Sequence, residues 1–214
     1  MFMGAARGER GPYAKGIAKR AEILDAALEV IVREGYSGAT VKRLADAVGL
    51  SQNGLLRYFG SKDALFAEIL RRRDELANDE VDITDPDFAE TLVDRLLQAV
   101  DEQVASPGMA QLSLRVTGEA TEPDHLAHDF IRERYASIRK VVEDAILALQ
   151  QTGRMDADID PAAVAALVYA SWDGLQIQWM YDDTIDVRAR MTYLVRALGI
   201  EAMASRAAFD SKVS

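Results

Sequence analysis

Between Thr40 and Lys62, residues that open a helix alternate with residues that close one: Thr40, Gly49, Ser51, Gly60, Ser61. A hydroxyl oxygen at a helix start accepts a backbone N–H that has no partner inside the helix. A glycine at the end tolerates the left-handed turn that stops it. The apolar residues in between fall on single faces, Val41, Leu44, Ala45 and Val48 in the first segment and Leu55 and Phe59 in the second. This predicts two helices of about two turns each, separated only by Gly49-Leu50-Ser51. A third opens at Ser61, with Asp63 in its first turn, where the helix dipole favours a negative charge. Two short helices joined by a glycine turn form a helix-turn-helix, whose second helix is held out from its support.

The rest of the chain has the same period. Leu24, Ala27, Leu28 and Ile31 predict a helix from about Lys19 to Glu34, stopped at Gly35, and Leu65, Phe66, Ile69 and Leu70 line the helix after Ser61. Breaks around Pro86 and at Ser106–Gly108 bound a helix over 88–105, and a shorter one follows over 109–120. Thr121 as cap and Pro123 in the first turn predict a long helix running to Gln151. Asp160-Pro161 opens another to about Tyr181, and a last one runs over 187–198, where Gly199 ends or bends it. No alternating strand is found. The expectation is an all-α protein of about nine helices, with a helix-turn-helix head over residues 1–62 and a helical body over 63–214.

The 214 residues carry a formal charge of −10, unevenly spread. Residues 1–78 hold 13 basic and 10 acidic side chains, a net of +3, and the remaining 12 basic and 25 acidic give −13. A mildly basic head on an acidic body suits contact with nucleic acid through the head alone. The absence of cysteine removes disulfides, thiolate nucleophiles and cysteine zinc sites. His125 and His128 are the only histidines, and no paired-carboxylate signature appears, so neither catalysis nor a cofactor is expected. The two histidines stand i, i+3 among acidic residues, a spacing that could bind a divalent metal, but a solvated pair beside a helix start is favoured and no metal site is assigned. The N-terminus lacks an apolar signal core and the longest apolar run, Ala162–Ala170, is too short for a bilayer, so a cytoplasmic protein is expected.

On the second helix of the helix-turn-helix Leu55 and Phe59 turn inward, with Leu56 beside them, leaving Gln52, Asn53, Gly54, Arg57 and Tyr58 for solvent or DNA. Gln and Asn can pair bidentately with adenine and Arg with guanine. Thr40, Ser51, Ser61, Tyr58 and Lys62 suit phosphate contacts. Gly54 costs about 1 kcal/mol of helix propensity against alanine, which a close approach of DNA would explain. The basic residues Arg7, Arg10, Lys15, Lys19 and Arg20 form an arm able to reach phosphates or a minor groove. For Arg71-Arg72-Arg73 a solvated or acid-paired face is expected.

Residues 20–66, RAEILDAALEVIVREGYSGATVKRLADAVGLSQNGLLRYFGSKDALF, resemble the DNA-binding domain of the Tet-repressor (TetR) family of bacterial regulators. The resemblance is carried by Arg20, Ile23-Leu24, Ala26-Ala27, Glu34-Gly35-Tyr36, Thr40-Val41 and Leu44-Ala45. It continues through Val48-Gly49-Leu50-Ser51, Leu55, Phe59, Ser61-Lys62, Asp63 and Leu65. It implies DNA contacts at Thr40, Lys42 or Arg43, Ser51, Gln52, Asn53, Gly54, Arg57, Tyr58 and Lys62. One departure is Leu56, where the family usually has a tyrosine that touches phosphate. Tyr58, two residues on, is the candidate substitute.

The resemblance further implies a body that binds a small molecule and forms a homodimer through its last two long helices. The helix from Pro161 is apolar nearly all round, which predicts burial on both sides, and Ala162, Ala166, Ala170 and Gly174 recur every four residues as a ridge for close helix approach. With Met191, Leu194 and Leu198 of the last helix this makes a candidate dimer face. The stretch WDGLQIQWM at Trp172–Met180 resembles a motif of one TetR subgroup. For the effector pocket the candidates are Met109, Leu112, Tyr135, Tyr169, Trp172 and Trp179, with Gln98, Gln111, Arg115 or Glu119 as polar selectors.

The expected function is that of a dimeric, ligand-responsive transcriptional regulator, foremost a repressor released from a palindromic operator by a small molecule. The alternative is a helical small-molecule-binding protein or enzyme whose head is not a DNA reader.

Overall fold

A computed structural model describes residues 12–79 and 88–200. Among them are nine helices and no strand. The chain divides into two compact units between Asp74 and Glu75, not at 62. The reason lies in the fourth helix, whose Leu65, Phe66, Ile69 and Leu70 are buried in the head.

The first unit contains α1 (Pro12–Gly38), α2 (Val41–Ala47), α3 (Gln52–Phe59) and the first part of α4 (Lys62–Asp79). Helix α1 begins earlier than its apolar stripe predicts, and it breaks at Gly35, where the backbone takes φ 74° and ψ 168°. Only glycine adopts that conformation without strain. Ile23, Leu24, Ala27, Val30 and Ile31 of α1 are buried, as are Leu44 and Ala45 of α2 and Leu55 and Phe59 of α3, and the Tyr36 ring lies 5.4 Å from Phe66. Both short helices are capped as predicted: Thr40 Oγ1 accepts from Arg43 N at 3.1 Å and Ser51 Oγ from Gly54 N at 3.0 Å. Ser61 does the same for Ala64 at the head of α4. Gly49, at φ 67°, lets Leu50 N return to the Ala45 carbonyl and close α2.

The second unit is built from α5 (Phe88–Ala105), α6 (Pro107–Glu119), α7 (His128–Gln151), α8 (Pro161–Tyr181) and α9 (Val187–Ala197). Its core joins Val93, Leu97 and Val100 of α5 to Ile146 and Leu149 of α7, Val164 and Val168 of α8, and Val187, Met191 and Val195 of α9. Asp160 caps α8 through Ala162 N and Ala163 N, as its Asp-Pro start predicts.

One expectation is corrected here. Helix α7 starts at His128 rather than at Thr121, because the Thr121 hydroxyl donates back to the Gly118 carbonyl and residues 121–127 form turns. Within one chain, helix α8 is covered on one side. Val164, Ala165, Val168 and Gln176 face inward, while Ala162, Ala163, Ala166, Leu167, Ala170 and Ile177 are exposed.

Candidate nucleic-acid interface

Helix α3 has only eight residues, too few to persist alone in water, so its shape is imposed by its ends and its buried side. Leu55 is wholly enclosed and Phe59 nearly so. That fixes the rotation of the helix and leaves Gln52, Asn53 and Arg57 on the exposed side, as expected from the sequence. Gly54 and Tyr58 are half-buried. The α2 side chain of Lys42 is exposed, and neither Lys42 nor Arg57 has an ion pair among the described residues. The Lys62 ammonium lies 5.6 Å from the Phe66 ring centroid. Thr40 and Ser51 use a lone pair for capping and keep a hydroxyl hydrogen to donate.

A Cβ at Gly54 would stand 3.1 Å from the capping Ser51 oxygen, a tight contact that a small shift relieves, since Thr40 and Ser61 make the same cap onto Arg43 and Ala64. Arg43 is also less available than Lys42. Its Nε and Nη2 grip Glu34 at 2.7 and 2.5 Å, and Arg33 holds the same carboxylate at 2.9 Å. The Arg43 hydrogen bonds, followed by those of Arg33, lower the Glu34 pKa to about 2, and the pairing raises that of Arg43. Sequence reasoning missed Glu34 because the pair spans the break at Gly35, which no helical spacing rule covers.

Of the N-terminal arm, Arg7 and Arg10 lie outside the described residues. Lys19 pairs with Glu22 at 2.7 Å, and Arg20 is turned into the head, where it donates to the Tyr58 carbonyl and to Glu68. Arg71 and Arg72 face Glu68 and Asp25, at 3.5 and 2.8 Å, the acid-paired face expected.

In the body, a half-open apolar cleft lies among α5, α8 and the start of α9, lined by Val100, Val104, Trp172, Trp179 and Val187. It has room for about one water molecule. Beside it the buried amides of Gln103 and Gln176 bond each other at 3.2 Å. Trp172 and Trp179, two of the pocket candidates, line the cleft, and the two glutamines were not anticipated. The other pocket candidates lie elsewhere. Met109 and Leu112 are enclosed in the core, and Gln98 and Arg115 are exposed and bound to Glu102 and Glu119 on their own helices. Gln111 is exposed as well.

Tyr135 and Tyr169 meet edge-on with centroids 4.8 Å apart. The Tyr135 hydroxyl donates to Asp173, and Arg134 donates to the Tyr169 oxygen at 3.0 Å. Burial raises the pKa of Asp173, partly offset by the Tyr135 hydrogen bond. Burial and the bond to Asp173 raise that of Tyr135.

Of the dimer-face candidates, Ala166 and Ala170 are exposed and Gly174, Leu194 and Leu198 half-buried. Met191 is corrected: it is wholly enclosed in the core of its own chain and offers no surface, since it shares the inward side of α9 with Val187 and Val195. Leu167 and Ile177 on α8 and Tyr193 on α9 are exposed instead. The histidines structure the turn before α7, where His125 Nδ1 accepts from Ala127 N and His128 Nδ1 bonds the Ala120 carbonyl at 2.9 Å. No cluster of three metal-ligating side chains occurs among the described residues, and no helix among them is long and apolar enough to cross a membrane.

Comparison with known proteins matches both units. The family described as bacterial regulatory proteins, tetR family, matches residues 23–69, and the family described as BetI-type transcriptional repressor, C-terminal, matches residues 88–199. The HTH-type transcriptional repressor SCO4008 of Streptomyces coelicolor is 31% identical over 141 residues, 61% of this chain and 71% of its own. The repressor AcnR of Corynebacterium diphtheriae is 30% identical over 147 residues, 66% of this chain and 70% of its own. A transcriptional regulator from Saccharomonospora viridis, solved in complex with choline, superimposes with a TM-score of 0.62 at 24% identity, over 84% of this chain and 96% of that one. At that identity the likeness is one of fold.

Proposed function

The chain belongs to the TetR family of bacterial transcriptional regulators, and we propose that it represses by holding a palindromic operator through α3 and releases it when a small molecule enters the body. It is a ligand-responsive, DNA-binding regulator. The observation that carries the finer reading is the exposed amide and arginine face of α3, fixed in rotation by Leu55 and Phe59. Gln52 and Asn53 read base edges near the N-terminus of the helix, where recognition helices touch bases, and Arg57 and Tyr58 serve the next positions or the flanking phosphates. Lys42, Thr40, Ser51 and Lys62 anchor the backbone, with Gly54 leaving room beside the cap.

A palindrome requires two heads. The exposed apolar residues of α8 and α9, Ala166, Leu167, Ala170, Ile177 and Tyr193 with Gly174, Leu194 and Leu198 beside them, suit a two-fold four-helix interface. Its half-sites would lie about 34–36 Å apart. An effector entering the body at the cleft between Trp172 and Trp179 must widen it, because it now has room for about one water molecule. It relieves repression by its preference for a body conformation that misplaces the heads.

A direct test measures binding of a duplex enriched by the protein from a randomised pool, by fluorescence anisotropy between 50 and 200 mM salt. Affinity should fall by about 10³-fold or more if six or more phosphates are contacted. Failure to enrich any inverted repeat would refute the reading.

A further inference from the structure

Arg20 is counted with the basic arm by its sequence position, but it points the other way. Its Nη1 donates to the carbonyl of Tyr58, its Nη2 lies 3.3 Å from Glu68 Oε2, and its guanidinium carbon stands 4.6 Å from the Phe59 ring centroid. One side chain on α1 thus joins the last turn of α3 to α4. We propose that Arg20 is a positioning residue for the recognition helix, setting operator affinity without touching DNA. The inference rests on the reading of α3 as the DNA reader.

The physical case starts from the end of α3. The last four carbonyls of a helix lack intrahelical partners, and in an eight-residue helix they are half of the total. Gly60 N closes the Leu56 carbonyl at 2.7 Å, and Arg20 takes that of Tyr58. A cation at this end also meets the negative pole of the helix. Ser51 fixes the first turn and Arg20 the last, where Arg57 and Tyr58 sit. Glu68 orients the guanidinium, and Arg71 holds the other oxygen of the same carboxylate at 3.5 Å. With two of its five N–H donors engaged inside the head, the guanidinium is held by protein partners, and a phosphate would compete with them. Lysine cannot replace it, because a single ammonium has no planar fork to span a carbonyl and a carboxylate.

The test uses the full chain, with the duplex enriched by the wild-type protein and a scrambled duplex of equal length. If loss of the fork leaves the last turn of α3 correctly docked about one-tenth of the time, Arg20→Gln binds the enriched duplex about tenfold more weakly. The scrambled duplex and the salt slope should be unchanged. Arg20→Lys should not restore affinity. A slope reduced by about 0.9 in Arg20→Gln, with rescue by Arg20→Lys, would make Arg20 a phosphate contact and overturn the proposal. Unchanged affinity for the enriched duplex would overturn it too, even with a lowered melting temperature. Should Arg20→Gln fail to fold, Glu68→Gln decides in the same assay, with an expected loss of about threefold from a less firmly held fork and refutation if affinity holds. If the wild-type protein enriches nothing, the DNA-reader assignment falls and the role of Arg20 with it.

Discussion

Arg43 and Arg33 share the single carboxylate of Glu34, and freeing them has a calculable consequence for DNA binding. The first helix of a helix-turn-helix crosses the DNA backbone, so an unpaired Arg43 on α2 stands where phosphates pass. Arg33 is already largely exposed, and only Arg43 is counted as gained. In Glu34→Gln the amide cannot hold a guanidinium as a carboxylate does, and one added phosphate contact steepens the slope of log affinity against log salt by about 0.9. Over a fourfold rise in salt the variant then loses about 3.5 times more affinity than the wild type. Carried from 1 M salt down to 50 mM, the same slope gives an upper bound of about fifteenfold tighter binding at low salt. Anisotropy titrations with enriched and scrambled duplexes measure both quantities, and the gain should appear on both, since phosphate contacts carry no sequence information. The pH behaviour follows from the lowered pKa. Glu34 contributes stability above its unfolded value of 4.5, which is lost as pH falls from there through its folded value of about 2. Between pH 5 and 8 the pair therefore stays closed, and only mutation releases Arg43. A slope equal to or shallower than that of the wild type would refute the claim that Glu34 withholds this arginine from DNA.

Other changes test other parts of the structure. Gly54→Ala gains up to about 1 kcal/mol of helix propensity, reduced by the 3.1 Å contact of its Cβ with the Ser51 oxygen. Chemical denaturation should show a gain smaller than the full propensity, and a net loss of stability would mean that the cap is broken. Leu167→Glu places a charge on the exposed apolar side of α8 and should give a folded monomer in sedimentation, with operator binding lost; a dimer that persists would move the interface elsewhere. Burial raises the Asp173 pKa, so the carboxylate's contribution falls as pH rises through that pKa. Asp173→Asn, whose amide oxygen still accepts from Tyr135, should match or exceed the wild-type melting temperature at pH 7, and a clear drop would show the charge to be needed.

The sequence by itself determined the elements whose causes are local. Thr40, Ser51, Ser61 and Asp160 cap because their oxygens reach N–H groups two or three residues away. Gly35 and Gly49 end helices because a positive φ suits glycine, and the apolar spacing that sends Leu55 and Phe59 inward also turns Gln52, Asn53 and Arg57 outward. Tertiary structure decided whatever depended on a partner distant in sequence. The pairs Arg20–Tyr58, Glu34–Arg43 and Gln103–Gln176 join residues 38, 9 and 73 positions apart, beyond any periodicity. The start of α7 moved because Thr121 served two equally local roles, capping the next helix or closing the previous one, and packing selected the second. The outward place of Leu167 was undecidable from an α8 that is apolar on nearly every side, and the inward place of Met191 depended on which side of α9 its neighbours cover. Composition fixes how much apolar surface a helix has, and its neighbours fix which side is covered.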